Sequence, residues 1–288
     1  MSVLFCDSDC ELWYTRAKEL GVKVIEMPYT LDGEERLYDL GEKTDLKAFF
    51  DKMRSGASAS TSGLNPQTYI GYLEPWFKAG EDILYVAFSS KMSNTFSYLD
   101  TAIAELQAKY PDVKYRRYDT LNISMGAGLM VELAAEFFNA HDGDIDATCD
   151  YLDTLVQNVA VLFVVDDMKY LARGGRLKPG VAKIGNVLRL KPVLYVSPGG
   201  EIDVLAKQSG FKKAMSFVVS EFEKKYKPVP GAAIYIVSAD CDAYAEELKS
   251  RIEPFAQGAE IRIQPVGPII GAHCGPDTYG IIFTSTSR

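Results

Sequence analysis

Three short segments carry the side chains best suited to chemistry: Thr61-Ser62, Ser93-Asn94-Thr95 and Gly271-Ala272-His273-Cys274-Gly275-Pro276. Each places hydroxyl, amide or imidazole groups beside residues that turn the chain. A carboxylate accepts several hydrogen bonds at once, and charge-assisted ones are the stronger type, so the set suits an anionic head group. A protonated imidazole at His273 would add opposite charge. The same residues allow a second chemistry, with Ser93 as nucleophile and His273 as its base, as in an esterase or acyl hydrolase. That arrangement needs an orienting carboxylate, for which Asp277 is the candidate. Taken singly, each residue has a plainer role. A serine or asparagine ahead of a helix is more often a cap than a ligand contact, and a lone histidine between glycines is as often structural as functional.

Familiar nucleotide motifs are incomplete. Gly175 and Gly180 have the spacing of a phosphate loop, but Val181 and Ala182 stand where its lysine and hydroxyl belong. Gly126-Ala127-Gly128 follows a strand-like segment, yet Val131 occupies the third glycine position of a dinucleotide fingerprint, which leaves close helix packing as the plainer account. The hydrolase elbow Gly-x-Ser-x-Gly is absent.

The elements that must position these loops follow from hydrophobic period and turn signals. Val3–Phe5 and Val22–Glu26 read as strands around a helix over Glu11–Leu20, and Leu31-Asp32-Gly33-Glu34 as a turn. Asp45 caps a helix through Met53, and Ser55–Asn65 reads as a small-residue loop ahead of a helix begun by Pro66. Asp82–Phe88 is a strand leading into Ser93, so Ser93 belongs on the rim where loops at the carboxyl ends of parallel strands bind ligands. A helix to about Tyr110 and a strand over Val113–Tyr118 follow. Met125, Leu129, Leu133 and Phe137 then stripe one helix, with Glu132, Glu136 and Asn139 on another face. After a helix over 144–158 the pattern changes to a strand over Val159–Val165. A hairpin turns at Ser197-Pro198-Gly199-Gly200, and two further strand–helix pairs follow. The expected fold is α/β: an N-terminal parallel-sheet, three-layer domain over residues 1–157, a C-terminal α+β mixed-sheet domain over 158–288, and a ligand cleft between them.

Composition narrows the function. The 288 residues carry a formal charge of −8, with no Lys/Arg run of the kind a nucleic acid surface needs. The same acidity disfavours an anionic membrane, so membrane contact is expected to be transient at most. No segment reaches the ~20 apolar residues of a bilayer span. Five cysteines (6, 10, 149, 241 and 274) match no zinc or redox spacing, and only His141 and His273 are available as imidazole ligands. No metal or cofactor is expected, and a cytoplasmic setting is.

Six segments in order resemble the DegV family, whose members include the fatty-acid-binding subunits of bacterial fatty acid kinase. Cys6-Asp7-Ser8 is similar to the family's Thr-Asp-Ser, and Ser60-Thr61-Ser62-Gly63 to its Thr-Ser-Gln-Pro. Ser89-Ser90-Lys91-Met92-Ser93-Asn94-Thr95 resembles Ser-Ser-x-Leu-Ser-Gly-Thr, and Asp119 to Gly126 the start of its Asp-Ser…Ser-x-Gly helix. Tyr170-Leu171-Ala172-Arg173-Gly174-Gly175-Arg176 resembles Tyr-Leu-x-Lys-Gly-Gly-Arg, and Gly271 to Pro276 resembles Gly-x-His-Thr-Gly-Pro. Gly63, Leu64, Asn94 and Asp277 depart from the pattern.

The resemblance implies a non-catalytic subunit that holds a long-chain fatty acid between its domains and offers the carboxylate to a separate, dihydroxyacetone-kinase-like fatty acid kinase. Carried over by position, Thr61, Ser62, Ser93, Asn94 and His273 hold the carboxylate. Arg173 and Arg176 either dock the kinase or cover apolar surface. Burying the tail supplies most of the affinity, at ~0.8 kcal/mol per methylene and order 10 kcal/mol gross, before the costs of association. A hydrolase, or a sensor of another small amphipathic ligand, are the alternatives.

Overall fold

The structure is a computed structural model and describes residues 1–177, 190–256 and 258–288. Gly180, Val181 and Ala182 therefore lie outside the described residues. In chain order the first half comprises β1 (Ser2–Asp7), α1 (Tyr14–Glu19), β2 (Lys23–Ile25), β3 (Pro28–Leu31), β4 (Glu34–Leu37), α2 (Leu46–Arg54), β5 (Ala59–Thr61) and α3 (Pro66–Lys78). It continues with β6 (Asp82–Ala87), α4 (Thr95–Lys109), β7 (Tyr115–Asp119), α5 (Met125–Ala140) and α6 (Ile145–Asp153). The second half comprises β8 (Val159–Val164), α7 (Lys169–Arg173), β9 (Leu190–Val196), β10 (Ile202–Ser209), α8 (Phe211–Lys225), β11 (Ile234–Ser238), α9 (Asp242–Ile252), β12 (Ile261–Pro265), α10 (Pro268–Cys274) and β13 (Tyr279–Thr284).

The fold is mixed α/β, with a parallel sheet in the first half and a mixed sheet in the second. Strands β2-β1-β6-β7 pair in parallel. The six-stranded sheet runs β10-β9-β8-β13-β11-β12 and is parallel only between β11 and β12. A small antiparallel sheet, β4-β3-β5, sits beside them. Local chemistry sets several boundaries. Asp45, Asn65 and Asp144 each accept a backbone N–H at the start of α2, α3 and α6, contacts of about 1 kcal/mol each. Asp32 and Gly33, both at positive φ, make the β3–β4 turn, as a type I′ hairpin requires.

Helix α5 lies between the two large sheets, packing on β1 and β6 at one side and on β8 and β13 at the other. Twelve of its sixteen residues are buried, and exposure is confined to its C-terminal end, at Glu136, Phe137, Asn139 and Ala140. Its glycines are spacers. A Cβ at Gly126 would strike Asn122 and Val161, and one at Gly128 the carbonyl of Cys10. One continuous apolar core consequently joins both halves, while a second fills the far side of the six-stranded sheet under α8 and α9.

Several expectations are corrected. Glu132, placed on a separate polar face of its helix, is buried and bonded by Arg16 (2.6 Å), Arg262 (2.8 Å) and Tyr235 (2.6 Å). The helix expected from Glu11 starts at Tyr14, because Glu11 has φ 55° and turns its carboxylate inward to Ser124 and to the Gly267 N–H at 2.5 Å. The loop over 55–65 contains β5, whose backbone groups are paired by β3. His273 lies on the last turn of α10 rather than on a loop. The final strand β13, absent from the sequence reading, is central to the second sheet.

Candidate functional site

The carboxyl ends of β1, β6 and β7 share a rim, and the segments leaving them bring Asp9, Phe88, Met92, Ser93, Ile123 and Ser124 to one cavity. The second half supplies Val161, Phe163, Ile202 and Val237 from its sheet and Ile269, Ile270 and His273 from α10. Thr61, Ser62 and Gly63, at the end of β5, form a third side. The space is about 120 Å³, and aliphatic and aromatic side chains dominate its wall. That is the scale of a cavity that takes a single benzene. A long tail would need several times more room; Met27 and Met92, unbranched and adaptable side chains, stand in the wall.

At one part of the wall the polar residues meet. The His273 Nε2 and Thr61 Oγ1 are 2.8 Å apart, which joins α10 to β5 across 212 residues of sequence. Gly174 lies directly against the imidazole, where a Cβ would collide with Nδ1. Nδ1 is buried and has no hydrogen-bond partner among the described residues. Burial pushes the His273 pKa down to about 4, and Arg176 and Arg173 push the same way. The imidazole is therefore neutral near neutral pH. In this structure His273 thus offers a hydrogen-bonding nitrogen rather than the positive charge that a protonated ring would add.

The other sequence-derived residues are distributed as follows. Ser93 is half-buried and its Oγ accepts the Thr95 N–H at 3.2 Å. It both closes the turn just ahead of α4 and lines the cavity. Ser62 is exposed at the cavity edge, with its hydroxyl donating to Glu35 at 3.3 Å. Asn94 is exposed and lines an adjoining surface recess with Lys91 and Arg176. Arg176 is half-buried at the cavity wall, donating to the carbonyls of Met92 (3.2 Å) and Gly174 (2.5 Å). Arg173 is exposed, donates to the Ala59 carbonyl at 3.2 Å and lies over the Tyr170 ring. Asp277 turns away to Arg54 at 2.9 Å, so its charge is paired there. A serine–histidine–carboxylate chain is not assembled: the His273 hydrogen bond goes to Thr61, and Asp277 belongs to the Arg54 pair.

Sequence reasoning missed Asp9. It is 7% exposed, lines the cavity, and its Oδ2 lacks a hydrogen-bond partner among the described residues. Burial raises its pKa well above the ordinary value, Asp7 and Glu11 reinforce this, and Arg176 opposes it. The signal was available: Asp7, Asp9 and Glu11 alternate just past an apolar strand, and all three are buried.

A family model described as "Uncharacterised protein, DegV family" matches residues 2–286. The chain belongs to the DegV family. A DegV domain-containing protein of Clostridium perfringens is 33% identical over 287 residues, covering 99% of this chain and 98% of the relative. Among solved structures, a DegV family protein from Thermus thermophilus, reported for its fatty acid binding, is similar with a TM-score of 0.83. Its identity is 27%, covering 98% of this chain and 99% of that one. A DegV lipid binding protein from Thermotoga maritima, 23% identical and covered completely in both directions, also has a TM-score of 0.83. No helix among the described residues is long and apolar enough to cross a membrane.

Proposed function

We propose that this DegV family protein binds a long-chain fatty acid, with the tail in the cavity between the two large sheets and the carboxylate at Thr61, Ser93 and His273. One observation carries the reading: the Thr61–His273 hydrogen bond sits in the wall of an otherwise apolar cavity that Ser93 also lines. Arg176, at the same wall, supplies the positive charge that neutral His273 does not. Ser62 and Asn94 stand at the exposed side, where a head group would be approached. The fatty acid binding reported for the Thermus thermophilus relative supports the same ligand class here.

The protein acts without catalysis of its own, presenting the carboxylate to a separate fatty acid kinase, and exposed Arg173 serves as a contact for that partner. Native mass spectrometry after incubation with palmitate or oleate tests the ligand, with an adduct of fatty-acid mass expected. Displacement of a fluorescent fatty acid should weaken about tenfold in Ser93→Ala and in His273→Ala, since each removes a hydrogen bond to a charged group. Unchanged affinity in both variants refutes the head-group site. For the kinase step, formation of acyl phosphate by an added fatty acid kinase should require the loaded protein and fall in Arg173→Ala.

A further inference from the structure

Among the described residues, Asp9 is the one carboxyl group in the wall of the cavity, 7% exposed, with an oxygen that none of them satisfies. Leaving a buried polar atom unpaired costs free energy comparable to a hydrogen bond. Arg176 lies within electrostatic range, but its described hydrogen bonds go to the Met92 and Gly174 carbonyls. Among the described residues, the remaining ionisable groups around Asp9 are Asp7 and Glu11 on its own segment, Tyr69 on α3 and His273 on α10. None of these is a cation near neutral pH.

We propose that in the ligand-bound protein Asp9 is protonated and donates a hydrogen bond from its carboxyl O–H to the carboxylate of the fatty acid. This rests on the fatty-acid reading above and deepens it by naming the residue that selects a carboxylate. The charge balance requires the proton. An ionised Asp9 beside a bound carboxylate would put two negative charges in a dry site where, among the described residues, only the Arg176 guanidinium lines the wall, and two carboxylates sharing a site do not both ionise. With the proton in place, ligand and Arg176 cancel, and the unsatisfied side chain becomes a donor. An aldehyde or alcohol of the same chain length offers no such acceptor charge, so the pair also discriminates against neutral head groups.

The test uses the full chain labelled with 13C at aspartate Cγ. The Asp9 resonance is the one missing from Asp9→Asn or from Asp9→Ala, so one folded variant suffices to assign it. With palmitate bound at neutral pH it should lie at the position of a protonated carboxyl and differ from the ligand-free spectrum. A resonance at the carboxylate position in the complex overturns the proposal. Affinity supplies the second arm. Asp9→Asn keeps a donor of the same shape and should bind within a few fold of wild type, while Asp9→Ala should bind roughly tenfold or more weakly. Wild-type affinity in Asp9→Ala overturns the proposed contact. Failure of the wild-type protein to bind any fatty acid is a separate result and defeats the underlying reading instead.

Discussion

Glu11 offers the sharpest test of the buried electrostatics. Its carboxyl is fully buried, accepts the Gly267 N–H and the Ser124 hydroxyl, and is raised by burial from 4.5 to about 8 against those two hydrogen bonds. The folded protein therefore holds a proton that the unfolded chain releases above about pH 4.5. More protons bound in the folded state means that stability falls as pH rises across this window. Each unit of pH inside it costs about 1.4 kcal/mol from this one group. Glu11→Gln mimics the protonated acid: its oxygen can accept from Gly267 while its amide donates to Ser124. Asp7, raised by burial to about 7, titrates in both proteins and cancels in the comparison. Urea unfolding between about pH 6 and pH 8 should show wild type losing roughly 2 kcal/mol relative to Glu11→Gln, since the slope flattens as Glu11 itself titrates near about 8. Parallel stability profiles for the two proteins would show that Glu11 does not hold its proton in the fold.

Other consequences are as direct. The His273 ring resonances should stay unchanged as pH falls to about 5 and titrate near about 4; a midpoint at the ordinary value near 6.5 contradicts the burial described above. This depressed pKa has the opposite linkage to Glu11, since the folded state binds fewer protons and His273 favours stability as pH rises from about 4 to 6.5. Gly174→Ala keeps an allowed backbone, φ −71°, but drives a methyl group into the imidazole. It should weaken fluorescent fatty-acid binding without lowering the melting temperature as much as a core truncation. Glu132→Ala removes the buried acceptor shared by Arg16, Arg262 and the Tyr235 hydroxyl, leaving the arginines their outer partners such as Glu136 and Glu260. The cost in urea unfolding should be about 3 kcal/mol, at the low end for a broken buried pair because both arginines retain access to water. Asp277→Asn breaks only a partly exposed pair with Arg54 and should leave ligand affinity unchanged, with at most ~1 kcal/mol of stability lost.

What could be read in the sequence was what neighbouring residues decide among themselves. Asp45 ahead of a helix, Pro66 at a first turn and Asp32-Gly33 between strands announce their structures within a few positions. The errors fall where a distant partner decides. Ala59-Ser60-Thr61 has no strand signal of its own and extends because β3 pairs with it. Glu11 belongs to an apparent helix until Ser124 and Gly267 claim its carboxylate. Glu132 looks solvent-facing because its arginine partners lie 116 and 130 residues away. The three polar segments at the candidate site were visible as residue types. Their assembly was not, and neither was the neutrality of His273, which depends on the depth of its burial and on two arginines from another element.

The position of α5 has a consequence for how the molecule comes apart. Either sheet, stripped of the other, would leave an apolar flank of this helix in water. Separated halves should thus be prone to aggregation, and calorimetry of the whole chain should record one melting event rather than two. Ligand exchange would then depend on motion of the rim segments and of α10, with the two layers staying clasped around their common axle.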